Sequence, residues 1–160
     1  MLKSLGLQDF TRDQWRSTIR GRVNVHDDYR DIRNWVGAET ADIVYHDHHG
    51  NLTQRLISAG YLGSAWGSHT PTYFIEVKAT ISTLETPFFC SQSQVIRMDD
   101  MRVSASGPVS NNIYLICRVF SLGIGTGLKI YFDPASLKSQ GELEFKADKY
   151  TVTPRFRFSM

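Results

Sequence analysis

The stretch Thr72-Tyr73-Phe74-Ile75-Glu76-Val77-Lys78-Ala79-Thr80 decides how this chain is read. Side chains alternate faces along a strand, so Phe74, Glu76, Lys78 and Thr80 share one face while Tyr73, Ile75, Val77 and Ala79 share the other. One face suits a core. The other carries a carboxylate and an amine two residues apart. A buried acid is costly unless positive charge lies beside it; Lys78 is one such charge, and a divalent cation would be a stronger one.

Upstream of this strand, Ala41 to His46 reads as a short strand with Asp42 at its start, and His49-Gly50-Asn51 supplies turn chemistry. Leu52 to Leu62 spaces Leu52, Leu56, Ile57 and Ala59 as a helix does, with Gly60 or Gly63 ending it and a loop over 63–71 leading on. Downstream, Ser91 is the expected N-cap of a helix running to about Arg102 through Val95, Met98 and Met101. Ile113 to Leu122 is a buried strand, Gly123 to Gly127 a flexible turn, and Leu128 to Phe132 its hairpin partner. Asp133-Pro134 opens a short helical turn ending near Gly141, and alternation over 143–152 predicts a last strand or two.

At the amino end, Thr11 and Gln14 fit a capping box and Trp15 with Ile19 forms a narrow apolar stripe, which predicts a short helix over 12–20. Tyr29, Ile32, Arg33 and Val36 suggest a further helical turn or two. The order is helix, strand with an acid, strand with an acid and a lysine, helix, strand, strand. That predicts an α+β or α/β domain whose mixed central β-sheet is flanked by helices.

The 160 residues, 41% apolar and 12% aromatic, are enough for one domain with its own core. With 18 basic and 16 acidic side chains the net charge is only +2, so bulk electrostatics does not mark a nucleic-acid protein and any such role rests on local patches. The densest cluster, Arg12, Arg16, Arg20 and Arg22, reads as a solvated helix face. Cys90 and Cys117 stand alone in apolar surroundings, with neither CxxC spacing nor a signal-like start. That favours a reducing, intracellular compartment, nucleus or cytoplasm. No apolar run approaches the roughly 18 residues of a spanning helix, so no membrane partner is expected.

Asp42 and Glu76 lie 34 residues apart, each on a strand that can be central. If those strands pair, the two carboxylates converge closely enough to share a Mg²⁺ or Mn²⁺, hard ions that take oxygen ligands and keep several waters. For phosphodiester cleavage each part has a task. The metal polarises the phosphate and lowers the pKa of a bound water, Lys78 orients that water or stabilises developing negative charge, and Gln94 holds the water or a phosphate oxygen.

An aspartate followed after a spacer by Glu-x-Lys resembles the PD-(D/E)-x-K nuclease superfamily. The segments Trp35 to Tyr45, Phe74 to Thr80, Phe88 to Gln94, Tyr114 to Phe120 and Tyr131 to Pro134, in that order, resemble the protein NO VEIN C-terminal domain family, usually placed in the same superfamily. The resemblance covers roughly residues 34 to 154, with 11–33 as an N-terminal helical extension. It implies a single domain with a restriction-endonuclease-like core, DNA or RNA as partner, Mg²⁺ or Mn²⁺ as cofactor, and Asp42, Glu76 and Lys78 at the metal and catalytic positions. Such domains commonly end a large multidomain protein, which implies that other domains of a longer polypeptide are partners too.

Two departures stand out. Gln94 occupies a place where similar sequences often carry an acid, and the long segment between Asp42 and Glu76 adds a helix expected to cover or reshape the cleft. Two functions follow: a metal-dependent nuclease, or a nuclease-fold module that does not cut and serves nucleic-acid or protein interaction.

Other eye-catching residues have plainer explanations. His46, Asp47, His48 and His49 read as a solvated hairpin tip rather than a transition-metal site, for want of a third ligand of known position. Gly123, Gly125 and Gly127 precede a strand rather than a helix and lack a lysine-serine pair, so they mark a turn and not a phosphate loop. Glu39 reads as a surface carboxylate, and Trp35 and Trp66 as packing residues. No Gly-x-Ser-x-Gly elbow appears and neither cysteine has a histidine partner, which disfavours a nucleophilic hydrolase.

Overall fold

The computed structural model describes residues 10–103 and 110–146. Four strands form one sheet in the order β1 (Ile43–His46), β2 (Thr72–Ala79), β3 (Asn112–Phe120) and β4 (Gly127–Phe132). β2 runs antiparallel to β1 and parallel to β3, and β4 returns antiparallel to β3. Three α-helices accompany the sheet among the described residues: α1 (Asn51–Ser58), α2 (Gln92–Asp100) and α3 (Pro134–Gln140). The fold is α+β with a mixed sheet. A parallel pair cannot be closed by a tight turn, and the segment containing α2 makes the crossover from β2 to β3.

The alternation expected for 72–80 divides the two sides of the sheet. Tyr73 and Ile75 join Ile43, Tyr45, Ile113, Leu115 and Cys117 in a core closed by Leu52 and Leu56 of α1, with Leu62 and Trp66 from the connection to β2. Phe74 joins Tyr114, Ile116 and Tyr131 on the other side, under Met98 of α2 and Ala135 of α3. Glu76 lies on this second side, so α1 does not cover it and the long insertion leaves the Glu76 face to α2 and α3.

α1 is shorter than expected because Gly60, at φ +78°, turns the chain out of the helix. Its amino end is held by Asp47, which is fully buried, unlike a solvated tip. The Asp47 carboxylate accepts from the Leu52 and Thr53 N–H groups and the Thr53 hydroxyl, at 3.2, 2.8 and 2.8 Å. The Thr53 hydroxyl is also 2.8 Å from the Tyr73 hydroxyl. His46, His48 and His49 therefore border a helix start, not a hairpin tip. Asp47→Ala is expected to cost about 3 kcal/mol, because three buried donors lose their acceptor. A urea midpoint equal to the parent's would contradict this.

The helix expected over 12–20 does not form. Gln14 caps the Thr11 N–H at 2.8 Å, but only a 3₁₀ turn over Arg12–Gln14 follows. Trp15 then makes an antiparallel bridge to Ile43, and the Arg16 N–H donates to the Asp42 carbonyl at 2.7 Å. Extending the β1 edge competes with the helix and wins. Two more 3₁₀ turns follow, Arg20–Val23 and Asp27–Tyr29, but the helical turns expected through Ile32, Arg33 and Val36 do not form. The arginines are accordingly not a solvated helix face: Arg16 and Arg20 lie over the Trp35 ring, and Arg20 is buried.

The expected hairpin turn forms over 121–126, with Gly127, expected in the turn, already opening β4. Of the last strand expected over 143–152, residues 143–146 form no strand and the rest lie outside the described residues. No helix among the described residues is long and apolar enough to cross a membrane.

Candidate active site

Asp42 stands just before β1, and the antiparallel register Ile43↔Ile75 carries it to the level of Glu76. Its Oδ2 accepts from the Val77 N–H at 2.8 Å, which substitutes for a strand partner at the point where β1 begins. The position that starts β1 thus brings the first carboxylate to the second.

Glu76 is 5% exposed. Its Oε1 accepts from Lys78 Nζ at 2.8 Å and from Gln94 Nε2 at 2.6 Å, while Oε2, among the described residues, accepts only from the Tyr114 hydroxyl, at 3.4 Å. Burial raises the Glu76 pKa above the ordinary glutamate range; the Lys78 hydrogen bond opposes this and the Asp42 charge adds to it. Burial, with the Glu76 charge, also raises the Tyr114 hydroxyl.

Gln94 is placed by the start of α2. Ser91 caps that helix, its hydroxyl accepting from the Gln94 N–H at 3.2 Å while the Gln94 side-chain oxygen accepts from the Ser91 N–H at 2.9 Å. This capping box aims the amide nitrogen at Glu76. Gln94 Oε1 also lies 3.4 Å from Lys78 Nζ. Of the four residues singled out in the sequence, Glu76, Lys78 and Gln94 are joined by hydrogen bonds, while Asp42 is bonded to the backbone of the same strand and acts on Glu76 through its charge.

No family model, no curated protein and no solved structure matches the chain.

Among the described residues no three His, Cys, Asp or Glu side chains gather as a metal-ligand group. Two carboxylates are fewer than the protein ligands of a closed zinc site, whereas a hard ion that keeps most of its waters would need no more. A cation there would oppose the two influences that raise Glu76, burial and the Asp42 charge, and Oε2 is the oxygen with the weaker existing partner.

Burial pushes the Cys117 thiol up to about 12 and raises Cys90 as well, which disfavours the thiolate at both. Both are free. Glu39 is exposed and accepts from Thr18, and Trp66 is buried, both as expected.

Sequence reasoning missed Tyr114 and Arg118. Both read simply as positions in an apolar strand, and only the parallel register, Phe74↔Tyr114 and Lys78↔Arg118, brings them to the site face.

Proposed function

We propose that this domain is a metal-dependent nuclease of the PD-(D/E)-x-K kind, hydrolysing phosphodiester bonds of DNA or RNA, with a restriction-endonuclease-like core. The observation that carries the reading is the meeting of Asp42 with the Glu76-Val77-Lys78 strand across the β1–β2 register. The antiparallel pairing of the two acid-bearing strands, followed by the α2 crossover, supports it and the family resemblance.

In this reading Asp42 and Glu76 hold Mg²⁺ or Mn²⁺, which when bound supplies an acidified water and a counter-charge for the phosphate. Lys78 presents an ammonium where negative charge develops on the phosphate oxygens. Gln94, held by its own helix cap, keeps the Glu76 carboxylate and the Lys78 ammonium oriented.

One observation favours a second reading, a nuclease-fold module that binds without cutting. Glu76 Oε1 is already satisfied by Lys78 and Gln94, so part of the network is complete without a metal. Incubating the protein with labelled single-stranded DNA, duplex DNA and RNA in Mg²⁺ or Mn²⁺ separates the two. Cleavage that EDTA stops is expected; intact substrates under every condition would leave only the binding module.

A further inference from the structure

We propose that Arg118 is a positioning residue for the candidate site: it pins the crossover between β2 and α2 to the sheet, and so sets where Gln94 meets Glu76 and Lys78. Its consequence for metal binding rests on the reading above, in which Glu76 is one of the two carboxylates that hold the ion.

Arg118 is 2% exposed, and burying a guanidinium is costly unless its donors are used. Among the described residues it makes no ion pair with a carboxylate, and its Nε has no hydrogen-bond partner. The contacts it does make fall in one segment. Nη2 donates to the Thr86 carbonyl at 2.9 Å, and the guanidinium lies over the Phe88 ring at 5.1 Å. Phe88 in turn stands 6.2 Å from the Tyr131 ring, and Phe88 and Cys90 both pack against the second core. An arginine suits this task where a lysine does not. Its planar guanidinium covers the ring while an N–H reaches the carbonyl, whereas an ammonium is a point charge on a flexible stem.

The pinned segment leads directly into α2. Ser91, the cap of that helix, stands five positions after Thr86, and Pro87 with its fixed φ takes slack out of the path between them. The residues that begin the helix, Ser91, Gln92 and Ser93, are exposed, and the buried residue of α2 is Met98, one turn beyond Gln94. Core packing therefore secures the middle of α2 rather than its start. The start is placed by the chain that enters it. Gln94 Nε2 lies 2.6 Å from Glu76 Oε1, and a shift of about 1 Å at the entry would carry it out of hydrogen-bond range. The parallel register sets Arg118 beside Lys78 on the same face of the sheet, so the pin stands at the level of the site.

The test compares the full chain with Arg118→Lys, first without metal, reading the Gln94 side-chain amide by heteronuclear NMR, and then by calorimetric titration with Mn²⁺. Arg118→Lys is expected to move the Gln94 amide resonance and to weaken Mn²⁺ binding roughly 10-fold, as loss of a group that orients a metal ligand does. Phe88→Leu keeps the arginine but removes the ring beneath it. It is expected to move the same resonance by less, and it decides the matter if Arg118→Lys does not fold. Lys129→Met removes the cation at the next register position and is expected to leave the Gln94 resonance in place. Because Arg118 acts through Gln94, the double variant with Gln94→Ala is expected to bind Mn²⁺ no more weakly than Gln94→Ala alone. An unmoved Gln94 resonance in Arg118→Lys and Phe88→Leu, or losses of affinity that multiply in the double variant, would overturn the proposal. A displaced Gln94 in a protein whose parent binds no Mn²⁺ upholds the positioning and defeats the metal reading alone.

Discussion

Glu76→Gln is expected to reduce metal-dependent cleavage at least about 100-fold, since it removes one of the two carboxylates proposed to hold the ion. The same substitution is expected to help the metal-free fold as pH rises. Glu76 has a folded pKa raised above its unfolded value, chiefly by burial. Below the ordinary glutamate range both states are protonated and the group contributes nothing. Between that range and the raised folded value the folded state binds more proton than the unfolded one, so stability falls as pH increases. Glutamine does not titrate and escapes this loss. In EDTA, the difference in melting temperature, variant minus parent, is therefore expected to be larger at pH 8 than at pH 4. A difference that stays constant or shrinks would contradict the electrostatic account of Glu76.

Lys78→Met is expected to act in the opposite sense. It removes the nearest cation from a carboxylate that is nearly inaccessible to water, leaving Gln94 and Tyr114 as its remaining partners. Breaking a largely buried pair from one side costs about 2–3 kcal/mol at neutral pH or above, equivalent to roughly 6–10 °C in Tm for a chain of this size. The cost is expected to shrink towards pH 4, where a protonated Glu76 no longer needs the ammonium. Cleavage is expected to fall at least about 100-fold as well. Thermal melts of Lys78→Met and of the double variant with Glu76→Gln check the coupling: the second substitution should recover most of the stability lost in the first. Strictly additive losses would mean that the two side chains do not act as a pair.

The parts of the fold that were legible are those set by local chemistry. Alternation over 72–80 separates Tyr73 and Ile75 from Phe74 and Glu76, and both cores keep that division. Ser91 caps α2 and Asp133 caps α3 because a short oxygen-bearing side chain before a helix satisfies its first N–H groups. What stayed illegible depends on long-range pairing. Thr11 and Gln14 signal a helix that Trp15 abandons for a bridge to Ile43, a partner 28 positions away. Asp47 looks like part of a wet histidine cluster until Thr53 and Tyr73 are brought against it.

The site divides in the same way. Glu76 and Lys78 are neighbours on one strand face whatever the tertiary structure, so their pairing was readable. Asp42 joins them only through the β1–β2 register, which two short apolar runs suggest but do not determine. Gln94 was noticed for its place in α2, and its bond to Glu76 follows from the cap that orients it. Tyr114 and Arg118 needed the register of a parallel pair, for which the sequence carries no local signal.

The most direct measurement of the central claim is a calorimetric titration of Mn²⁺ into the protein at pH 8, beside the same titration into Asp42→Asn and Glu76→Gln. The account predicts one ion per chain for the parent and affinity weakened at least about 10-fold in each variant. An absent heat of binding in the parent, or three indistinguishable isotherms, would contradict it.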